Sequence, residues 1–296
     1  MTVNVRNAVE KDVPAIIILL NDERKDAYEF TPYTEERIRS LLQEGTLEVV
    51  VAEEKNEIVG TVAYNDGYWG EEIEWLIVPQ NEGKKSIESV LVEEIEKHVK
   101  GQSVFTVVDE DSPKIPEWTE RGYSIEGGLY HLIARLDSLK PVPEVPDAII
   151  LRSLETDEES AFVEAVNAGF GWERLRLGII EEWKKGNPPF NEEWVHVAEH
   201  AKRLVSVVVS RPDTGYNQHF NGKRGYLGPA ATLSEYRGKS LASALTRRAM
   251  NFLFENGMHS VALYTSDENI ASLVLLRNLG FTTGHHWRFM RKKLRQ

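Results

Sequence analysis

One ordered series of secondary-structure signals occurs twice in this chain, and that constrains the fold more than any bulk property. The two copies flank "DSLKPVPEVPDA", residues 137–148, where Pro141, Pro143 and Pro146 favour an extended connector over a helix. The first copy opens with strand-like "VNVRNA" and helix-like "EKDVPAIIILLNDE". The second opens with "AIILRSL", then Thr156 and Glu159 in capping-box spacing before "SAFVEAVNAGF". A Val- and Ile-rich hairpin follows in each, "LEVVVAEE" with "IVGTVAYN" and "EWVHVAEH" with "RLVSVVVSRP". Next come a third strand ("EEIEWLIVP"; "RGYLGPAATL"), a helix ("KKSIESVLVEEIEKHV"; "KSLASALTRRAMNFLFENG") and another strand ("SVFTVVDED"; "SVALYTSDE"). In the second of those helices Leu241, Leu245, Ala249 and Phe252 fall on one face. Each copy then has a short helix stopped by a Gly-aromatic pair, Gly122-Tyr123 or Gly280-Phe281. A last strand follows, "YHLIARL" or "HHWRFMRKKL". So long a recurrence predicts a duplication. Hairpins combined with one helical crossover predict α/β (α+β) domains, each a mixed, mostly antiparallel sheet flanked by helices.

Composition narrows the function classes. A length of 296 residues suits two domains of ordinary size. The net charge of −12 argues against a nucleic-acid or anionic-membrane surface, and it suits a cationic substrate such as an amine. The absence of cysteine excludes disulfides, thiolate-bound zinc and a Cys nucleophile. The opening "MTVNVRNAVEKDVPAIIILLN" has no basic n-region or cleavage site, and "PAIIILL" is too short to span a bilayer. A cytoplasmic location is expected. Adjacent His285 and His286 point to opposite faces of a strand, so no metal site is expected there.

The chemistry-bearing stretch is Arg237-Gly238-Lys239-Ser240-Leu241-Ala242, at the head of the second copy's long helix. Gly238-Lys239-Ser240 has the ending of a phosphate-binding P-loop, but Leu233 stands where that loop needs its first glycine. A different logic remains. Free N–H groups and the dipole of a helix N-terminus favour an anion, and small residues let one approach. A second run, Asn269, Ser272, Leu275, Gly280 and Phe281, follows at fixed spacing.

In these two motifs the second half resembles the GNAT superfamily of acyl-CoA-dependent N-acyltransferases. Its signature is (Gln/Arg)-x-x-Gly-x-(Gly/Ala), here with Ser240 at the middle Gly, followed by Asn-x-x-(Ala/Ser)-x-x-Leu-Tyr-x-x-x-Gly-Phe. The resemblance implies two tandem GNAT-like domains, in an arrangement similar to mycothiol synthase-type double proteins. Residues 1–138 form a degenerate copy, 139–147 a linker, and 148–296 the acetyl-CoA-binding catalytic copy. Acetyl-CoA is the implied co-substrate. Ala230, Ala231, Thr232, Arg237, Gly238, Lys239, Ser240, Leu241, Ala242, Asn269 and Ser272 are its implied contacts. In the first copy Glu88 is expected opposite Ala242, with Asp111, Lys114 and Trp118 replacing the second motif. One coenzyme A per chain follows.

The resemblance further implies direct attack of an amine on the thioester, with a small-molecule amine as partner. Leu276 replaces the family's tyrosine acid, leaving Tyr226 and Tyr264 as substitutes. His219, read as a loop residue before the third strand, is a candidate base, with Glu199 and Asp213 as competing carboxylates. The acidic stretches "DERKDAYE" and "YWGEEIEW", with Trp69 and Trp75, suit the wall of an acceptor pocket. A catalytically silent coenzyme A sensor, a longer-chain acyl donor and a pure scaffold stay open as alternatives.

Overall fold

The computed structural model describes residues 3–67, 70–80 and 82–294. They divide into two compact units, and neither coincides with the first or the second half of the chain. The first holds Met1–Leu129 with His286–Gln296, the second Tyr130–His285.

The first unit runs β1 (Asn4–Asn7), α1 (Val13–Arg24), α2 (Glu35–Gln43), β2 (Glu48–Glu54), β3 (Glu57–Gly67), β4 (Gly70–Ile77), α3 (Lys84–Ile95), β5 (Ser103–Asp109) and α4 (Lys114–Glu120). Strand alternation sends Val50 and Ala52 to the core under α3, and Val49 and Val51 to the core under α1 and α2. Strands β1 to β4 are antiparallel neighbours, and β4 meets β5 in parallel at the single pair Glu72 and Phe105. Beyond them, β6 (Ser124–Arg135) crosses from one unit's residues into the other's.

The second unit repeats the series as β7 (Ile150–Ser153), α5 (Glu159–Phe170), α6 (Ile179–Gly186), β8 (Val195–His200), β9 (Arg203–Pro212), α7 (Thr214–Phe220), β10 (Arg224–Thr232), α8 (Leu241–Glu255), β11 (Ser260–Ser266) and α9 (Ile270–Asn278), followed by β12 (Thr282–Lys293). Its sheet order is β6, β11, β10, β9, β8, β7.

The closing strands depart from a division at 138 and 148. Trp287–Lys293 of β12 pair antiparallel with Ser103–Asp109 in the first unit, where Met290 is fully buried. Leu132, Ala134 and Leu136 belong to the second unit's core, and the Leu136 amide donates to the His259 carbonyl at 2.9 Å. Both strands have 12 residues and follow the same helix stop. Their apolar alternation specifies an open sheet edge, not which copy's edge.

A smaller correction concerns α5. Its N-cap is Glu158, not Thr156, and no capping box forms. Arg152 takes the Glu158 carboxylate, and Glu159 accepts from the amides of Gly178 and Ile180 at 3.0 Å. Among the described residues no helix is long and apolar enough to cross a membrane.

Candidate active site

The site begins with a bend in β10. This strand pairs with β11 only through Arg224–Tyr226 against Ser260–Ala262. Against β9 the register slips between Leu227 and Ala230. The residues at the slip explain it: Gly228 sits at φ +140, which a side chain rarely tolerates, and Pro229 has no N–H to donate. Past the slip, Ala230–Thr232 stay with β9 alone, so β10 and β11 part into a wedge. The Leu233 amide donates to the Val205 carbonyl at 3.0 Å. Antiparallel alternation therefore turns the Ala230 and Thr232 amides to the open edge and the Ala231 amide back towards β9. Helix α5 presses on the same segment. A Cβ added at Gly169 would lie 2.9 Å from the Ala231 Cβ.

The wedge leads to the turn before α8. Ser240 caps this helix from a left-handed conformation, φ +60, with no side-chain cap bond. The first helical amide to find a carbonyl is that of Ala244, on Ser240. The amides of Leu241, Ala242 and Ser243 thus project from the helix end without a carbonyl ahead of them. Residues 237–240 are exposed. The Arg237 guanidinium donates to the carbonyls of Thr232 and Gly169, at 3.3 and 3.1 Å, and so ties the turn to β10 and α5. The Lys239 ammonium rests 4.7 Å from the Tyr236 ring centre.

At the mouth of the wedge the structure brings together two of the three sequence candidates for catalysis. The rings of Tyr226 and Tyr264 are 6.1 Å apart. The Tyr226 phenol is raised above its ordinary pKa, chiefly by burial, while Arg211 and the backbone of Tyr264 pull the other way. Tyr264 is 44% exposed and stacks on His131 at 4.6 Å. His219 is elsewhere. It lies on the exposed α7 rather than in a loop, its ring edge against Phe220. Glu199 and Asp213 are both engaged by arginine, Glu199 with Arg152 at 2.7 Å and Asp213 with Arg224 at 2.7 Å. The buried His196, pushed down to about 3 by burial and by Arg248, faces the opposite side of the sheet from Tyr226.

The second motif is structural where it can be followed. The Asn269 side chain accepts from the Ser272 amide at 3.2 Å, capping α9. Leu276 is buried in the core, and its carbonyl accepts from Phe281. Of the residues expected to wall a pocket, Trp69 lies outside the described residues. Trp75 is buried in the first unit, edge-on to Tyr33 at 5.3 Å. The sequence reading missed Arg211 and Arg174. The guanidinium of Arg211 covers the Tyr226 ring at 4.7 Å. Asn167 pins the loop that carries Arg174, accepting from the amides of Arg174 and Leu175. The available signal was position: Arg211 ends a strand beside the Gly-Pro bend.

Residues 151–281 match the model of the acetyltransferase (GNAT) family. This stretch of the chain is an acetyltransferase domain of the GNAT family. Among similar proteins are two mycothiol acetyltransferases. That of Saccharomonospora viridis is 24% identical over 73% of this chain and 72% of its own length. That of Thermobispora bispora is 27% identical over 52% of this chain and 53% of its own. In fold, a GCN5-related N-acetyltransferase from Sphaerobacter thermophilus covers 99% of this chain and 96% of its own at TM-score 0.71, with 18% identity. A tandem GNAT protein of the clavulanic acid biosynthesis pathway covers 99% and 98% at TM-score 0.66, with 17% identity. The tandem GNAT fold thus spans both units.

Proposed function

We propose that the second unit transfers an acetyl group from acetyl-CoA to the amine of a small molecule. The observation that carries this reading is the wedge of β10 and β11 opening onto the uncapped end of α8. The amides of Leu241, Ala242 and Ser243, with those of the turn before them, would take the pyrophosphate. A helix end favours such an anion electrostatically. Ala230 and Thr232 would bond the pantetheine arm through the amides on the open edge. One of these amides would also stabilise negative charge on the thioester oxygen. The thioester supplies an activated acyl group. The chain's contribution is to hold it, exclude water and present a phenol. Tyr226, kept protonated by burial, would donate towards the departing sulfur, the role Leu276 does not fill.

Calorimetric titration of the full chain with coenzyme A tests the assignment. We expect one molecule bound per chain. Ala242→Glu, which puts a carboxylate in the first turn of α8, should weaken binding at least ~100-fold, about 3 kcal/mol. Two bound molecules, or unchanged affinity in the variant, would overturn the placement. Thiol release on an amine panel then separates a transferase from a silent coenzyme A sensor.

A further inference from the structure

The acyl-transfer reading leaves the guanidinium of Arg211, beside Tyr226, without a task. Arg211 stands directly across from Tyr226 in the β9–β10 ladder. Among the described residues Arg211 is in no ion pair, and the neighbouring carboxylate, Asp213, is already held by Arg224. Arg174 approaches from the loop after α5. Its guanidinium lies 4.4 Å from the Phe170 ring centre and 5.7 Å from that of Trp172, which is 46% exposed. Arg211 covers the Tyr226 ring, and Arg174 stacks on Phe170 at the end of α5, next to the Gly169 that packs on Ala231, so both arginines border the wedge.

The fold does not require arginine there. Counted from the corresponding glutamates Glu53 and Glu199, Asn65 occupies in the first unit the place of Arg211, and its partner across the ladder is Glu72. The first unit forms its sheet without a guanidinium at this point. Two arginines at one mouth also run against a chain of net charge −12. A guanidinium held flat on aromatic rings is a preorganised fork for a carboxylate.

We propose that the acceptor amine also carries a carboxylate, which Arg211 and Arg174 hold beside Tyr226. This rests on the acyl-transfer reading. The whole chain, saturated with acetyl-CoA, is assayed for thiol release with three matched pools: the common amino acids, their α-amides, and the corresponding decarboxylated amines. The amino acids should be used with kcat/KM at least ~10-fold above either pool that lacks the α-carboxylate. Arg211→Gln should cut that preference at least ~10-fold, mostly through KM, and Arg211→Lys should recover part of it. Acetyl-CoA affinity within about twofold of wild type shows that each variant is folded. Equal or better use of the pools that lack the α-carboxylate would overturn this inference alone. So would a preference that survives Arg211→Gln and Arg174→Gln. Silence from all pools with acetyl-CoA bound would overturn the transfer reading and this inference with it.

Discussion

In the first unit Arg6 bonds Asp12 and Glu53, and in the second Arg152 bonds Glu158 and Glu199. The separations along the chain are 6 and 47 residues in both. In each, Nη1 of the arginine also donates to the carbonyl of the following residue. Asn21 in one and Asn167 in the other bind the loop after the first helix through backbone groups. The helix stops agree as well, with Tyr123 donating to the Trp118 carbonyl and Phe281 to that of Leu276. Around the wedge the agreement ends. Where the second unit has Tyr226, Gly228 and Pro229, the first has Glu72, Glu74 and Trp75. The duplication kept what holds a loop or strand end, and changed what lines the wedge.

Glu88 shows why this needs coordinates. Placed over Ala242 by counting, it resembles a charge aimed at a pyrophosphate. In the structure α3 starts at Lys84, so Lys85, not Glu88, shares the helix position of Ala242. Glu88 lies a turn further on the buried face, bonded to Arg121 at 2.8 Å. The carboxyl groups that distinguish the first unit at this place, Glu72 and Glu74, are on β4, not in the first turn of this helix.

The largest effect should come from treating the copies as separable. Residues 148–296 lack Leu132, Ala134 and Leu136 and leave β11 with an open edge. Burial of a leucine contributes roughly 1.5–3 kcal/mol, so two of them rival the whole stability of a domain. The fragment 148–296 should aggregate or unfold without cooperativity, whereas 130–285 should give a cooperative denaturant transition. Matching transitions for the two would break the exchange of closing strands.

A middle-sized effect should come from the shared ionic clip. Arg152→Ala leaves two part-buried carboxylates without their cation, at a cost of about 2 kcal/mol at pH 7. The Glu158 carboxyl is held below its ordinary range, first by hydrogen bonding to Arg152. Asp12 is likewise lowered by Arg6. A depressed carboxylate contributes stability above its unfolded pKa, and that share is lost as pH falls through the folded value. The difference between wild type and Arg152→Ala should therefore shrink below about pH 4.5. Urea unfolding at pH 7 and pH 3.5 measures it. Arg6→Ala should behave alike, and a markedly different loss would mean that the two clips are not equivalent.

Much of this was legible in the sequence. The hairpins, the third strands and the helices after them announce themselves by period and by Val and Ile. The turn at residues 237–242 is visible because a second motif, Asn269 to Phe281, follows it in order and at fixed spacing. What was hidden depends on partners distant in sequence. Exchange of β6 and β12 is a choice between two equally suitable edges. Arg211 reads as an exposed strand end until Tyr226 is placed across from it. Helices α2, α6 and α7 were not anticipated; α2 and α6 are amphipathic, but at 9, 8 and 7 residues the three span only about two turns each.

The smallest effect concerns the first unit's counterpart of Tyr226. Burial, reinforced by Glu74, pushes the Glu72 carboxyl up to about 8, with Arg24 opposing. A carboxyl raised in the folded state stabilises most fully below its unfolded pKa of about 4.5, and the contribution drains away as pH rises towards 8. Glu72→Gln removes the titration and keeps the shape. The variant should match wild type at pH 4 and exceed it at pH 8 by on the order of 1–2 kcal/mol, read from urea midpoints. Acetyl-CoA stoichiometry should stay at one per chain, because a neutral side chain at this place does not rebuild the Gly-Pro bend. A pH-independent difference would mean that Glu72 is ionised, which would set a true carboxylate in the first unit against the Arg211 side of the second. The two sites would then differ by charge as well as by shape.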